Sequence, residues 1–446
     1  MINRKIYEFM RNFFKKEKKA LLISGARQVG KTFAIRHVGN EIFERVVELN
    51  FIENPSLKAL FANPHNSQEM LLRLSAYAGG NLKKGDTLFF FDEIQECPDI
   101  LTIIKFLVDE GSYKYVLSGS LLGVQLKDIR SIPVGYLYEK RMYPLDLEEF
   151  ANALGMSEMT MSHIRDCYER KSAVDDVVHT KMLELINLYL IVGGMPEAVV
   201  KYLSTNNLHD VRSAQEAIVN LYKKDIAKYD INNKLYIQEI FDLIPSELNA
   251  KNKRFILKSL NENAKYERYK NSFLWLADAG VALPVYNIEE PKQPLRLNEL
   301  RNLFKLFLND VGLLASCYPF ELSLKIIMGE SNLNFGAIYE NLAAQELVSH
   351  GYSLYYFNSK RQGEIDFVVE HNGVVVPIEI KSGKDFKRHN AMSNVIATPD
   401  YAIKSALVFS NANVSKSGKI TYLPVYMLMF LTPSVPSDTV VRFTPF

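Results

Sequence analysis

Gly25, Gly30, Lys31 and Thr32 stand in the run Leu21 to Thr32 at the spacing G-x-x-x-x-G-K-[ST]. The two glycines let the backbone curl until successive N–H groups of Gly25, Ala26, Arg27, Gln28, Val29 and Gly30 point at phosphate oxygens. A helix that opens directly afterwards adds the pull of its positive end. Lys31 then reaches the β- and γ-phosphates of a nucleotide, and the Thr32 hydroxyl takes a place on Mg²⁺. Ordinary residue frequencies give about 0.02 chance matches to this pattern in a chain of 446 residues.

A phosphate loop needs an acidic counterpart, and Leu88-Phe89-Phe90-Phe91-Asp92-Glu93 supplies it. A strand buried on both faces that ends in an acidic pair brings Asp92 to a Mg²⁺-bound water beside Thr32. Glu93 can orient and deprotonate the water that attacks the γ-phosphate. Tyr115 to Ser120 reads as the next buried strand. Its end either sets Ser118 or Ser120 between the two motifs as a γ-phosphate contact, or closes the strand in a Ser-Gly turn.

A second group of chemistry-bearing residues lies near the end of the chain. Asn372-Gly373 is a strong hairpin signal. With these as the two loop residues, His371 pairs with Val374, Asp366 with Glu379 and Glu364 with Lys381, so three carboxylates and a lysine share one sheet face. Carboxylates side by side repel, and a divalent ion relieves them. Oxygen-only ligands suit Mg²⁺ or Mn²⁺, with Lys381 orienting or activating a water.

The strings GARQVGKT, FFFDEIQ, LSGS and YPLDLEEF resemble those of prokaryotic AAA+-like P-loop ATPases that carry a C-terminal region similar to a restriction endonuclease fold. The resemblance implies ATP and Mg²⁺ as ligands and a site completed by an arginine from a neighbouring subunit. Arg130 and Arg141 are candidates, and each also reads as a solvated arginine. Gly193-Gly194-Met195-Pro196-Glu197 resembles the turn that such ATPases press against adenine and sugar, and reads equally as a helix end before a proline-initiated helix. Asp366, Glu379 and Lys381, with Glu340 from the preceding helix, resemble the PD-(D/E)xK nuclease pattern, although no proline precedes Asp366. That likeness implies Glu340, Asp366 and Glu379 as ligands of a second Mg²⁺ or Mn²⁺ with Lys381 in catalysis, or else a salt-bridged polar face on a fold that has lost cleavage.

These sites need elements to hold them, and the pattern is α/β. Residues 1–150 read as a P-loop ATPase core with an AAA+-type parallel sheet: strands before Gly25, at Arg45 to Phe51, before Asp92, before Ser118 and at Val134 to Tyr138, led in by a surface helix within Met1 to Lys19. Residues 151–235 read as a helical lid, with Leu183, Ile186, Leu190 and Ile191 at helical spacing. Residues 236–310 resemble a winged helix-turn-helix. Its helices are Ile237 to Leu243, Lys253 to Leu260 and Tyr266 to Asp278, and its wing strands Val281 to Tyr286 and Leu303 to Leu308. From Lys251 to Lys270 seven basic residues face only Glu262 and Glu267, which suits a helix laid along duplex phosphates or a solvated face for protein contacts. Residues 311–446 read as the nuclease-like α/β domain: helix Gly336 to His350, strands Leu354 to Phe357, Glu364 to Glu370 and Val374 to Lys381, a helix at Lys387 to Ile396, a strand at Ala406 to Phe409 and an irregular tail from Thr432.

Composition narrows the class. A 48% apolar and 23% charged chain with net charge +2 is an ordinary globular protein, and the small charge argues against coating nucleic acid through bulk electrostatics. Cys97, Cys167 and Cys317 lie far apart without CxxC spacing, which fits a reducing cytoplasm and no zinc site. Met1 to Lys19 lacks a secretory apolar core, and Leu423 to Leu431 is too short to span a bilayer. The expectation is a cytoplasmic, Mg²⁺-dependent ATPase, with a homo-oligomer among its assemblies, that acts on DNA through a winged helix and a nuclease-like domain. The alternative is a nucleotide-controlled switch or scaffold that binds DNA or protein and does not cleave.

Overall fold

The computed structural model describes residues 2–62, 66–80, 82–120, 135–229, 234–250, 253–262, 265–329, 335–383 and 385–433. Its first sheet has five parallel strands: β1 (Ala20–Ser24), β2 (Arg45–Asn50), β3 (Thr87–Asp92), β4 (Lys114–Gly119) and β5 (Leu137–Arg141), in the order β2-β3-β4-β1-β5. β3 shows how the sequence builds it. Leu88, Phe89, Phe90 and Phe91 have no solvent exposure, with Leu88 and Phe90 in one core and Phe89 and Phe91 in the other. Each such side chain contributes roughly 1.5–3 kcal/mol through burial.

Register sets the functional edge. Ser24 lies level with Gly119 and Arg141, and Asn50 with Asp92, so the carboxyl ends of the strands form one rim. In such sheets ligands bind beyond that rim. β5 begins later than expected, and residue 134 lies outside the described residues. Tyr136, Leu137 and Tyr138 are alike in character, so the sequence does not separate the turn at Tyr136 from the strand that begins at Leu137.

Around this sheet pack α1 (Lys5–Lys16), α2 (Lys31–Ile42), α3 (Ser67–Ala78) and α4 (Asp99–Glu110). α1 buries Ile6, Tyr7, Met10, Phe13 and Phe14, one stripe at helical period. The helical region comprises α5 (Leu147–Ala153), α6 (Glu158–Arg170), α7 (Asp176–Val192), α8 (Pro196–Thr205) and α9 (Leu208–Tyr229). No single described helix is long and apolar enough to cross a membrane.

The expected winged-helix region differs from its pattern. α10 (Lys234–Asn249) runs through Pro245, only a 3₁₀ turn at Leu257–Ser259 stands within Lys253 to Leu260, and α11 (Tyr266–Asp278) follows. β6 (Ala282–Ile288) and β7 (Glu299–Leu308) are antiparallel, as wing strands would be. β6 also pairs in parallel with β8 (Tyr355–Ser359), so the hairpin is the edge of an eight-stranded sheet. The division expected at residue 310 therefore falls within one hydrogen-bonded sheet. Parallel partners distant in sequence leave no local signal of their pairing.

That sheet continues through β9 (Gly363–His371), β10 (Val374–Ile380), β11 (Ala406–Ser410), β12 (Ser415–Ser417) and β13 (Ile420–Pro424), in the order β12-β13-β11-β10-β9-β8-β6-β7. Asn372 and Gly373 both have positive φ, 51° and 74°, as a two-residue hairpin loop demands. The β9–β10 ladder runs from His371↔Val374 to Phe367↔Ile378 in the expected register. Beyond it the Asp366 carboxylate accepts a hydrogen bond from the Ile380 backbone at 2.9 Å. Helices α12 (Val311–Ser316), α13 (Phe320–Ile327), α14 (Gly336–Ser349) and α15 (Asn390–Ala397) complete the described fold. Leu423 to Leu431 is buried as the end of β13 and a 3₁₀ turn, and the tail beyond residue 433 lies outside the described residues.

Candidate functional site

β1 leads into a loop whose backbone takes left-handed or glycine-only angles at Gly25 (φ 140°), Gln28 (65°) and Gly30 (93°). A Cβ on Gly25 would lie 2.2 Å from the Met142 carbonyl oxygen, so this close approach requires glycine. Lys31, first residue of α2 and largely buried, donates to the carbonyls of Gly25 (3.0 Å) and Ala26 (2.7 Å). Burial pulls its pKa down to about 8, against the opposing influence of Glu93 and Asp92.

The acidic pair lies across the groove. Thr32 Oγ1 donates to Asp92 Oδ2 at 3.1 Å, Asn50 Nδ2 donates to the same oxygen at 3.2 Å, and the Ser118 hydroxyl bonds Asp92 Oδ1. Burial pushes the Asp92 carboxyl above its ordinary range, with hydrogen bonds from Ser118 and Thr32 opposing and Glu93 adding to the rise. Glu93, at φ 58°, accepts from the Gln95 amide and, at 3.3 Å, from the Ser120 hydroxyl. The two serines left open by the sequence thus divide: Ser118 meets Asp92 and Ser120 meets Glu93. Lys31, Thr32 and Glu93 line one cavity of about 680 Å³ with Arg27, Gln28 and Gly30. A hydroxyl and a carboxylate side by side fit Mg²⁺, which takes few protein oxygens and completes its shell with phosphate and water.

A second, more apolar cavity of about 430 Å³ shares Gln28, Gly30 and Phe33 with the first and is walled by Ile2, Tyr7, Met142, Leu145 and Pro196. Arg4 stitches these parts together. Its guanidinium donates to Val29 O (3.2 Å), Tyr143 O (2.8 Å) and Glu149 Oε2 (3.0 Å), and Glu149 closes a capping box with Asp146 at the start of α5. The Gly193-Gly194 turn is held from both sides. Gly194 N donates to Asp310 Oδ2 at 2.6 Å, and its carbonyl accepts from Leu145 N at 2.7 Å. Burial lifts the Asp310 carboxyl to about 6, with the backbone donors around it opposing. Sequence reasoning missed Ile2, Arg4, Tyr7 and Asp310, whose partners come from remote segments. Arg141 donates to Ala277 O at 2.9 Å with its guanidinium 5.8 Å from the Tyr143 ring centre; Arg130 lies outside the described residues.

At the other expected site the carboxylates do converge, but on lysines. Lys305 of β7 is fully buried, its ammonium 2.7 Å from Glu364, 3.3 Å from Glu340 and 4.0 Å from Asp366. Lys253 bonds the other oxygen of Glu340, and Lys381 bonds Glu379 at 2.6 Å. Burial alone would raise Glu340, yet Lys305 and Lys253 hold it below the usual carboxylate range. Burial drives Asp366 well up, with Glu340 and Glu379 reinforcing it; burial also raises Glu379 despite Lys381. This arrangement does not fit the divalent ion expected on Glu340, Asp366 and Glu379. Among the described residues no three His, Cys, Asp or Glu side chains are disposed to hold a metal. A lone lysine inside the apolar strand Leu303 to Leu308 was the available signal for Lys305. The basic stretch is divided too: Lys253 turns inward to Glu340 and Arg268 bonds the Tyr236 hydroxyl, while Lys258 and Lys265 remain exposed.

Residues 17–151 match the AAA domain family, residues 183–323 a domain of unknown function (DUF8612) and residues 335–428 another (DUF4143). No curated protein matches the chain. Among solved structures it is similar to the Walker-type ATPase PABY2304 of Pyrococcus abyssi, at 14% identity and TM-score 0.44 over 71% of this chain and 96% of that one. It is also similar to the Aeropyrum pernix ORC1 protein in complex with DNA (12% identity, TM-score 0.28, covering 72% and 90%). A third similarity is to a Thermotoga maritima RuvB variant (13%, TM-score 0.30, covering 63% and 89%). The N-terminal part of this chain is thus an AAA-type P-loop domain.

Proposed function

We propose that this chain is an Mg²⁺-dependent ATPase whose nucleotide cycle controls a terminal unit that does not cleave nucleic acid. The observation that carries the reading is the meeting of Lys31, Thr32, Asp92 and Glu93 on one rim, beside an apolar cavity suited to a nucleobase. Water oriented by Glu93 attacks the γ-phosphorus. The new P–O bond forms as the bond to the β,γ-bridging oxygen breaks, ADP and phosphate leave, and the proton passes to Glu93. Lys31 and the loop N–H groups stabilise the charge on the transferring group. Thr32 and Asp92 would hold Mg²⁺, which supplies charge neutralisation on the phosphate oxygens when bound.

The non-cleaving half rests on two lysines set against the carboxylates that a nuclease would give to its metal: Lys305 lies 3.3 Å from Glu340 and 4.0 Å from Asp366, and Lys381 lies 2.6 Å from Glu379. A duplex-DNA partner is the second reading, favoured by exposed Lys258 and Lys265. One assay tests both halves: phosphate release and plasmid nicking by the full chain with Mg²⁺ or Mn²⁺, beside Lys31→Ala and Glu379→Ala. Turnover by the wild type that Lys31→Ala abolishes, without nicking, is the expected result. Metal-dependent nicking lost in Glu379→Ala would overturn the second half, and absence of ATP turnover the first.

A further inference from the structure

The chemistry of a phosphate loop asks nothing of the side chain at position 27, because its backbone N–H does the binding. Here that side chain is an arginine with two engagements. Arg27 Nη1 donates to Asp225 Oδ1 of α9 at 2.7 Å, and Nε donates to Ser120 Oγ at 3.3 Å. Ser120 in turn donates to Glu93 Oε2 at 3.3 Å, so the guanidinium stands one hydroxyl away from the carboxylate proposed as the base. α9 is also attached to the loop backbone: Tyr222, one turn before Asp225, donates its hydroxyl to Arg27 O at 3.2 Å. Leu221 of the same helix lines the cavity shared by Arg27, Lys31 and Glu93.

We propose that Arg27 is a γ-phosphate sensor built into the loop itself, which exchanges its ion pair with Asp225 for the terminal phosphoryl oxygens of ATP and thereby loosens α9 from the nucleotide site. The proposal rests on the ATPase reading above. The exchange is chemically even, because a guanidinium fork suits a carboxylate and a phosphate alike. The pair is shielded, its side chains 21% and 7% exposed, which makes it a defined contact and not a loose surface one. ADP lacks the group that competes with Asp225 and leaves the helix docked. An arginine supplied within the chain does the work that a neighbouring subunit's arginine was expected to do, while Arg141 is engaged with Ala277.

The test uses the full chain with fluorescent ADP and a fluorescent non-hydrolysable ATP analogue, plus hydrogen exchange of the α9 amides. Wild type should show faster α9 exchange with the triphosphate than with ADP. Arg27→Met should bind ADP within about twofold of wild type, bind the triphosphate at least about tenfold more weakly, and lose the difference in α9 exchange. Arg27→Lys, which keeps the charge but not the fork, should fall between them. Asp225→Asn, which removes the competing anion, should show fast α9 exchange without nucleotide and tighter triphosphate binding. Equal losses for both nucleotides, or no loss for either, in Arg27→Met would overturn the proposal while leaving the ATPase reading intact. So would weaker triphosphate binding by folded Asp225→Asn. If wild type binds neither nucleotide, both readings fall.

Discussion

Lys305 Nζ lies 3.3 Å from Glu340 Oε2, and the two side chains are 0% and 2% exposed. Removing the ammonium strands a buried carboxylate. Lys305→Met is expected to lower the unfolding free energy by about 3–5 kcal/mol near neutral pH. Glu340 is held below its ordinary range, so its share of stability is present above the unfolded carboxylate value and is lost as pH falls through the folded one. The deficit of the variant should therefore narrow toward about pH 4. Urea unfolding of both proteins at neutral and acid pH checks this, and a deficit independent of pH would assign the damage to lost packing.

Lys31 carries the opposite sign. Its folded pKa of about 8 lies below the ordinary 10.5, so the folded state holds fewer protons between those values and stability rises with pH across that window. Below it, the nucleotide-free protein bears the cost of a buried ammonium. Lys31→Met should raise the melting temperature of the nucleotide-free chain by roughly 2–4 °C and erase the upward shift that ATP with Mg²⁺ gives the wild type. A thermal melt with and without nucleotide reads both effects.

Glu93→Gln keeps the shape and the bond from Ser120 but cannot take a proton. It should slow phosphate release by about 10²–10⁴-fold while leaving ATP affinity within about twofold. Parallel loss of affinity would mean that Glu93 supports binding and not the chemical step.

Asp310 joins the turn before Pro196 to the start of α12, and burial raises its pKa from 3.8 to about 6. The folded state binds the extra proton, so this group's contribution to stability falls as pH rises from 3.8 to about 6 and then levels. Wild type should lose about 3 kcal/mol relative to Asp310→Asn across that interval. Paired unfolding curves at several pH values would reveal the difference in slope.

How much of this was legible in the sequence depended on whether each cause was local. The phosphate loop and the register from His371 to Ile378 could be read because a few adjacent residues determine each: Gly25 and Gly30 in one, Asn372-Gly373 in the other. Strand β3 was legible because four apolar residues in a row fill both faces of a sheet. Lys305 was not, since what makes it a counter-ion is the arrival of Glu340 from α14 and Glu364 from β9. Ile2, Tyr7, Met142 and Pro196 share a cavity for the same reason, contributed by three separate stretches of chain. Lys253 was counted with its basic neighbours, whereas its ammonium is committed to a carboxylate that no spacing rule connects to it.

The pairing of β6 with β8 bears on anyone wishing to take the protein apart. Severing the chain after residue 310 would leave one fragment with a bare β6 edge and the other with a bare β8 edge, each offering unpaired amides and carbonyls to any passing strand. Dissection at that point should yield insoluble pieces, and co-expression of the two fragments should restore a soluble, associated pair.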